Sequence, residues 1–595
     1  MWRTIEVLIL FLIPVTILSQ NPQLNTDYSP LIEDLKERIP KGLNKHNIPG
    51  LSIALVDKDG IVWQEGFGYA DKETKTPAKP NTSYRVGSLS KMFTSVGIMR
   101  LVDKGQIELD STLDTYLPDF SMKSRFGKET KPPTIRQLLT HYAGLPANYI
   151  KGILDKDPKS LDSYVNLLSD QYYAFKPNTV YCYSGTGYSL LGLLIEEITG
   201  KSFAKYMEEN VLLPLDMEKS AFQLNATIEE HLASGYLKDE KRQQFPVCDV
   251  PAGGLYSNVG DLANFIKMSL HRGHYEDQKI LSSSAFSKLV EPQNGNHPFD
   301  YSMRIGLGWK LDGIAFTYGE NLSHLGTVAG HGGQTVLFRS KIMMALDQGV
   351  GVIILCNSSN AKELAWPLVS EIVERMAAAK KGVKRETTVK KHSGNENVEP
   401  FPKDNVSYYA SRWGVMKMTP KNDKQRIRLS IPDRKMLLKK DDQGGYDVRY
   451  LALGFLPIKV SQLNRYHFGF MRKADTDVMV CTSEGMAQFF GSRIEKDSIP
   501  PSWRKRTGHY KGRFSQQEAE IIQEMKLYVQ DGYLMMNLKL PLITDVTLRL
   551  ALNPISDKLA YVKGHSRMTG DVLKVKEENG EQKLMYAGLP LIKQD

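Results

Sequence analysis

Cysteine is scarce in this chain: its 595 residues include only four, namely Cys182, Cys248, Cys356 and Cys481. None of them forms a Cys-x-x-Cys pair, so neither a disulfide scaffold nor a cysteine zinc site is indicated. A chain of this length buries a core that is stable without such cross-links. Its 41% apolar and 24% charged residues also exclude a collagen, a coiled coil or a disordered chain. We therefore expect a globular protein of two or three domains.

Long hydrophobic runs are absent beyond the N-terminus. The first twenty residues place Arg3 ahead of an apolar run from Val7 to Leu18, and the small residue Ser19 follows it. That run is too short to cross a bilayer as a helix. Residues 1–20 are therefore predicted to be a secretory signal peptide rather than an uncleaved anchor. The mature protein is expected to be secreted or periplasmic, without a stable membrane span.

Positive charge is in slight excess, because 77 lysines and arginines against 67 aspartates and glutamates give a net charge of +10. Half of this excess lies between Lys380 and Lys391, where six basic residues accompany one glutamate. The sequence contains no zinc finger or other nucleic-acid motif. The basic segment is therefore interpreted as part of a linker, and no nucleic-acid partner is expected.

The part of the chain before this segment combines helix-like and strand-like patterns. Leu31, Leu35 and Ile39 recur at helical spacing, and Asp57-Lys58-Asp59-Gly60 separates two apolar runs as a hairpin turn does. The patterns predict helices at 30–48, 88–104, 135–139, 188–198 and 361–378, and strands at 51–56, 61–69, 331–338 and 350–356. Residues 21–378 are therefore predicted to form an α/β (α+β) domain, in which the terminal strands pair in one antiparallel sheet between helical layers.

Periodicity stops between Ala379 and Asn405, where charged and polar residues, glycine and proline take over. Residues 379–404 are predicted to be a linker. Beyond it strand-like alternation dominates, and the dipeptides Asp531-Gly532 and Asn579-Gly580 favour tight hairpin turns. Residues 405–595 are predicted to be an antiparallel, barrel-like β domain, built as one barrel or as two smaller units. Residues 406–414 and 507–514 resemble each other loosely.

The pattern Ser-x-x-Lys occurs four times, beginning at Ser88, Ser202, Ser359 and Ser502. Ser88 differs from the others because it stands at the predicted start of a long helix, after Gly87. At positions i and i+3, Ser88 and Lys91 share one helical face, and the free N–H groups of a helix N-terminus favour an oxyanion. A serine hydroxyl becomes a nucleophile only when a neighbouring base takes its proton. The alternative is a capping serine followed by a solvated lysine.

Two further segments accompany Ser88. Residues 180–192 read Val-Tyr-Cys-Tyr-Ser-Gly-Thr-Gly-Tyr-Ser-Leu-Leu-Gly, and residues 329–336 read Ala-Gly-His-Gly-Gly-Gln-Thr-Val. In this order the three elements resemble the signatures of the serine β-lactamase and penicillin-binding-protein-like family, in its branch of class C β-lactamases, esterases and D-aminopeptidases. Supporting stretches stand at 134–141, 143–146, 251–255, 261–263 and 306–309. The resemblance covers roughly residues 30–375 and implies a β-lactamase-like transpeptidase fold for them.

The resemblance implies catalytic roles for three residues. Ser88 would be the acylated nucleophile. Lys91 would be its base, or the group that keeps another base deprotonated. Tyr183 matches the tyrosine that hands a proton to the leaving group, because its spacing to Gly187-Tyr188 fits the family pattern. Tyr181 is interpreted as a packed aromatic residue.

The resemblance also places substrate-binding residues on a sheet edge. His331, Gly333 and Gln334 stand where other members carry a Lys-Thr-Gly strand, and the backbone N–H groups of Ser88 and Gln334 would form the oxyanion hole. Two departures weaken the match to a β-lactamase. Gly185 replaces an asparagine that contacts acylamide side chains. A histidine replaces a permanently charged lysine, which weakens the anchor for a substrate carboxylate at neutral pH.

These residues imply a secreted serine hydrolase that works through an acyl-enzyme on ester, amide or D-amino-acid peptide bonds. An esterase or a D-stereospecific peptidase is favoured over a true β-lactamase. Small molecules or peptides are the expected substrates, no metal or organic cofactor is expected, and no motif indicates the oligomeric state. The alternative is a catalytically silent relative that binds peptidoglycan fragments or a protein partner.

Two histidine-containing segments outside these motifs are interpreted as structural. Gly564-His565-Ser566-Arg567-Met568 begins like a nucleophile elbow, but it lacks the final glycine and lies in the β domain. A turn is predicted there. His141 follows an apolar helix and is predicted to pack against it or to cap it.

Overall fold

The fold is that of a computed structural model. It describes residues 26–147, 160–312, 320–383, 406–421, 426–441, 445–460, 466–512, 521–541, 546–578 and 580–594. The predicted signal peptide and most of the predicted linker lie outside these residues. Within the described ranges, no helix is long and apolar enough to cross a membrane.

A seven-stranded antiparallel sheet organises the first domain. In spatial order its strands are Lys310–Leu311, Val328–Gln334, Arg339–Ala345, Val350–Cys356, Gly50–Asp57, Gly60–Asp71 and Thr76–Pro77. Leu51 faces Cys356 across the central pair of strands, so the two ends of the domain meet in one sheet, as the sequence predicts. These two strands are buried along their whole length, because helices cover both faces of the sheet.

One predicted strand, 331–338, is wrong in its second half. The strand ends at Gln334, and the chain reverses because Thr335 Oγ1 accepts hydrogen bonds from the N–H groups of Leu337 and Phe338, at 3.2 and 2.9 Å. The return strand Arg339–Ala345 then pairs with the first. The three apolar residues of the turn, Val336, Leu337 and Phe338, look like a continuing strand in the sequence, but they pack into the core or against it.

Helices form a layer on each face of the sheet. One face is covered by Ser29–His46 and Lys362–Lys381, over a shared apolar core. The longest helices of the other face are Ser90–Asp103, Gly185–Thr199 and Val259–Leu270. The shorter ones are Ile135–Leu139, Leu161–Asn166, Phe203–Met207, Ala226–Glu230, Val250–Gly253 and Ser283–Val290. The last long helix extends into the predicted linker because Lys380 forms an ion pair with Asp57.

Two antiparallel barrels follow the first domain, so the β region consists of two units. The first barrel contains Ser407–Ser411, Gly414–Pro420, Arg426–Ile431, Arg434–Lys440, Tyr446–Ala452, His467–Lys473, Thr476–Ser483 and Met486–Arg493, with Leu456–Ile458 as an added strand. The second contains Gly508–Gly512, Glu524–Gln530, Tyr533–Lys539, Leu548–Ser556, Leu559–Val562, Val572–Glu578, Glu581–Tyr586 and Leu589–Lys593. The helix Pro501–Lys505 precedes it. Each barrel encloses its own apolar core.

The predicted hairpin at Asp531-Gly532 is present. These residues have φ values of +51° and +85°, which a two-residue hairpin turn requires, and Gln530 faces Tyr533 across it. Asn579, in the other predicted turn, lies outside the described residues. The loosely similar segments that begin at 406 and 507 provide the first strand of each barrel.

Polar and aromatic contacts join the second barrel to the first domain. Asp170 forms ion pairs with Lys574 of the barrel at 2.8 Å and with Lys123 of its own domain at 2.6 Å. The guanidinium carbon of Arg125 lies 4.0 Å from the ring centre of Tyr561. We refer to Lys123, Asp170 and Lys574 as the interdomain triad. The first barrel also contacts the first domain, where the Ser302 N–H donates to the Ala487 carbonyl at 2.9 Å.

Candidate active site

A cavity of about 1610 Å³ lies where the first domain meets both barrels. Of the six site residues predicted from the sequence, five line it, namely Ser88, Lys91, Tyr183, His331 and Gln334; Gly333 lies in the same strand as His331 but is not among the lining residues. The fold therefore brings together three segments that are far apart along the chain. The walls opposite them belong to the two barrels.

Ser88 lies in the 3-10 turn Gly87–Leu89, directly before the helix Ser90–Asp103. This is the helix-start position that the sequence predicts. Lys91, one turn further on, is buried and donates hydrogen bonds to Ser88 Oγ at 3.4 Å and to the Ala252 carbonyl at 2.7 Å. The carbonyl holds the ammonium group in place beside the serine.

Two glycines let the serine turn approach the sheet edge. Gly87 has a φ of +57°, and a Cβ atom there would lie 3.0 Å from the backbone nitrogen of Gln334. A Cβ atom on Gly333 would lie 2.0 Å from the carbonyl oxygen of Val86. Both positions thus require glycine. The close approach brings the backbone around Ser88 next to Gln334, as the predicted oxyanion hole requires.

Tyr183 is surrounded by positive charge. The Nζ atoms of Lys91 and Lys310 lie 4.9 and 5.4 Å from its ring centre. Burial by itself raises the pKa of the phenol, but the two ammonium charges and a hydrogen bond with Ser88 outweigh it, so that the pKa of Tyr183 lies below its ordinary value. The phenolate form is therefore favoured, and a phenolate can accept a proton from the serine.

The ring of His141 packs against the ring of Tyr183. Its ring centre lies 4.3 Å from that of Tyr183, and its Nδ1 accepts a hydrogen bond from the Ser184 N–H at 3.1 Å. Burial and nearby lysines hold its pKa well below the ordinary value, so the imidazole packs as a neutral ring. Tyr181 packs against His141 and Tyr142, and burial raises its pKa well above that of a free phenol.

His331 is buried at the sheet edge and uncharged. Its Nδ1 donates a hydrogen bond to the Gly332 carbonyl at 2.6 Å. Burial, followed by the charges of Lys310 and Lys91, holds its pKa well below the ordinary value. Its side chain therefore cannot act as the cation that a lysine provides at this position in relatives.

Sequence reasoning missed most of the charged residues that line the cavity, and three of them matter for the site: Asp249, Lys310 and Arg567. Burial raises the pKa of Asp249 to about 6. The guanidinium carbon of Arg567 lies 5.0 Å from the ring centre of Tyr183. Each of the three lies within two residues of a stretch already noted in the sequence, or inside one: 251–255, 306–309 and 564–568. The last stretch is a turn, as predicted, but it lines the candidate active site.

A serine turn, a buried lysine and a tyrosine beside a glycine-rich sheet edge are the arrangement expected of a serine hydrolase of the β-lactamase family. Residues 33–373 match the family model described as Beta-lactamase, and the chain belongs to that family. The matched residues cover the first domain but neither barrel. The β-lactamase-like fold expected from the sequence is thereby confirmed.

Individual relatives agree with this family. The protein flp of Staphylococcus aureus strain MRSA252 is 29% identical over 345 residues, which are 56% of this chain and 65% of that protein. The chain thus spans slightly less than two thirds of that relative. An octameric penicillin-binding protein homologue from Pyrococcus abyssi is 23% identical with a TM-score of 0.51, and SurE with D-Leu is 19% identical with a TM-score of 0.53. Each alignment covers 77% of this chain and 99% of the solved one, and it shows a shared fold.

Proposed function

We propose that the protein is a secreted serine hydrolase that forms an acyl-enzyme at Ser88 and acts on ester, amide or D-amino-acid peptide bonds. One observation carries the proposal: Tyr183, with its lowered pKa, lies beside both Ser88 and Lys91. A serine is nucleophilic when such a base takes its proton. This arrangement favours an enzyme over a silent binding protein. The apolar N-terminal run supports secretion.

In the proposed reaction, Ser88 Oγ attacks the substrate carbonyl carbon while Tyr183 takes the hydroxyl proton. The N–H groups of Ser88 and Gln334 stabilise the resulting oxyanion. Tyr183 then gives the proton to the leaving alcohol or amine as its bond to the carbonyl carbon breaks, and an ester remains on the serine. Water then attacks the carbonyl carbon of this ester while Tyr183 takes one of its protons. The bond to Ser88 Oγ breaks, Tyr183 returns the proton to Ser88 Oγ, and the acid is released. Lys91 favours the phenolate in both steps.

The site favours esters and D-peptides over β-lactams. Gly185 has no side chain to contact an acylamide group, and its N–H donates to the Ala147 carbonyl at 3.0 Å. The neutral His331 gives no charged anchor at the usual place. The D-Leu named with the solved SurE structure agrees with the D-amino-acid option.

A fluorophosphonate probe tests the nucleophile. We expect the wild-type protein to gain one adduct in its intact mass, and Ser88→Ala to gain none. Ser202→Ala is the matched control, since Ser202 has the same Ser-x-x-Lys pattern but caps the helix Phe203–Met207 by accepting a hydrogen bond from the Lys205 N–H at 3.4 Å. An unlabelled wild-type protein, or an adduct on Ser88→Ala, contradicts the proposal.

A substrate panel tests the reaction class. It contains p-nitrophenyl esters, D-alanyl amides and a chromogenic β-lactam. We expect turnover of an ester or a D-alanyl amide that is lost in Ser88→Ala. Faster hydrolysis of the β-lactam than of any ester or amide contradicts the preference for esterase or D-peptidase activity.

A further inference from the structure

The second barrel contributes a fixed loop to the active site. The turn Gly564–Met568 lies outside the residues that match the family model, yet it lines the catalytic cavity. His565 holds it on one side, because its ring lies 5.0 Å from that of Phe299 and its Nδ1 lies 3.0 Å from Ser492 Oγ. On the other side, Gly570 has a φ of +81° and packs against the backbone of Ala174 so closely that a Cβ atom would lie 2.3 Å from the carbonyl oxygen. The loop is thus fixed by both the first domain and the first barrel.

Arg567 projects from this loop toward Tyr183. Its guanidinium carbon lies 5.0 Å from the ring centre, and the side chain is exposed to the cavity. Lys310 lies on the same ring at 5.4 Å. In the part of the chain that the structure describes, neither cation forms a hydrogen bond or an ion pair with another side chain. With Lys91, three cations lie around the Tyr183 ring, and the phenolate can balance only one of their charges. A further anion is therefore attracted to this place.

The rest of the cavity does not balance this charge. Nine lysines and arginines line it against four aspartates. Burial raises the pKa of Asp571 to about 7, so its negative charge is incomplete near neutral pH, and it raises that of Asp249 to about 6. Burial also lowers the pKa of Lys310 and Lys341, so the lasting excess of positive charge rests on the arginines, among them Arg567. Asp300 is already engaged, because it accepts a hydrogen bond from the Tyr142 hydroxyl. The field inside the cavity therefore attracts anions.

We propose that Arg567 and Lys310 together bind a carboxylate on the leaving group of the substrate. This inference rests on the proposed function, and it names the substrate class as esters or peptides whose leaving group carries a free carboxylate. We assign the carboxylate to the leaving group because Tyr183 gives its proton to that group and both cations lie beside the Tyr183 ring. The guanidinium fork suits a planar carboxylate. The charged anchor that His331 does not provide is thus supplied by Lys310, on a neighbouring strand, and by Arg567, in the second barrel.

Two matched esters test the anchor: 3-carboxyphenyl acetate and its neutral isostere 3-carbamoylphenyl acetate. We expect the wild-type kcat/KM for the carboxylate ester to be about tenfold higher, as one charge-assisted contact provides. Arg567→Ala should lower the carboxylate-to-carbamoyl ratio about tenfold, Lys310→Met should lower it as well, and Arg567→Lys should retain part of it. Arg506→Ala is the matched control, because Arg506 belongs to the same barrel but contacts Trp503 and the Asp557 carbonyl.

A carboxylate-to-carbamoyl ratio of kcat/KM that stays unchanged in Arg567→Ala overturns the proposal. An equal loss of kcat/KM for both esters leaves the ratio unchanged and indicates that Arg567 has a purely structural role. Fluorophosphonate labelling of Ser88 reports whether each variant keeps a folded site. Calorimetric binding of 3-hydroxybenzoate against 3-hydroxybenzamide provides a readout that needs no turnover. If Ser88 fails to label, the proposed function fails, while weaker binding of the benzoate to Arg567→Ala still supports the anchor. Equal binding of the benzoate to both proteins overturns it.

Discussion

The ammonium group of Lys91 lies 4.9 Å from the ring centre of Tyr183. It is buried and also donates a hydrogen bond to the Ala252 carbonyl. A charge held at this distance from a buried phenol stabilises the phenolate, because little water is present to screen it. This relationship agrees with the proposed roles, in which Tyr183 is the proton acceptor and Lys91 is one of two lysines that lower its pKa.

The pH dependence of turnover should reveal the effect of Lys310 on the pKa of Tyr183. If phenolate Tyr183 is the base, kcat/KM for a neutral ester rises as the pH passes through the tyrosine pKa. Lys310→Met removes a positive neighbour, so this rise should shift to higher pH by about one unit. Lys267→Met, which removes a lysine paired with Glu276, should leave the profile in place. An unshifted profile in Lys310→Met contradicts the electrostatic role of Lys310.

Tyr183→Phe should lower kcat/KM by a factor of about 100 or more, because it removes the proton acceptor while the ring still packs. Tyr181→Phe is the matched control two residues away, since its ring packs on His141 and Tyr142. The control should retain activity within about threefold. Steady-state kinetics on one p-nitrophenyl ester measures both. Similar losses in the two variants mean that the wrong tyrosine has been assigned.

Asp571→Asn should stabilise the protein at alkaline pH. Burial raises the pKa of Asp571 to about 7, above the value near 3.9 of an unfolded aspartate. The folded state therefore binds more protons than the unfolded state between these values, and the contribution of Asp571 to stability falls as the pH rises from about 4 to about 7. An asparagine does not ionise, so the melting temperature at pH 8 should rise by about 2 °C and change little at pH 4.

The exposed Asp239 provides the comparison for this measurement. Asp239→Asn should change the melting temperature equally little at both pH values. A lower melting temperature of Asp571→Asn at pH 8 would mean that the ionised carboxylate stabilises the fold. In that case its hydrogen bond from the Ala147 N–H outweighs the burial of its charge.

Limited trypsin digestion tests the predicted linker. Lys380 pairs with Asp57, and Lys381 donates to the Asp347 carbonyl at 2.5 Å, within the helix Lys362–Lys381. We therefore expect the first cleavage after one of the basic residues between Lys384 and Lys391. Mass spectrometry of the fragments identifies the bond. Earlier cleavage within residues 30–375 would show that the boundary lies elsewhere.

The sequence predicts the first domain well because its signals are local or belong to a known family. The leucines of Ser29–His46 and the apolar runs of the central strands follow the periods of helix and strand. The hairpin after Gln334 was missed because its cause is one side chain. Thr335 Oγ1 accepts hydrogen bonds from the N–H groups of Leu337 and Phe338, whereas the apolar residues that follow it look like a continuing strand.

The missed residues of the site have a different explanation. Lys310 and Asp249 lie next to recognisable stretches, but only the folded chain shows that their side chains enter the cavity. Arg567 follows Tyr183 by several hundred residues and belongs to another domain. The turn at 564–568 was predicted correctly, but no local sequence pattern indicates which surface of the first domain the second barrel contacts. Contacts between domains depend on surface complementarity, which a single sequence does not display.

The interdomain triad makes the contact between the first domain and the second barrel sensitive to ionic strength. Asp170 and Lys123 are about half exposed, and their attraction, together with that of Lys574, is weakened by dissolved salt. Rising ionic strength should therefore loosen the contact that holds the second barrel, and with it the loop beside Tyr183. Even an uncharged substrate would then be hydrolysed at a rate that depends on salt, because the salt acts on a joint between domains and not on the substrate.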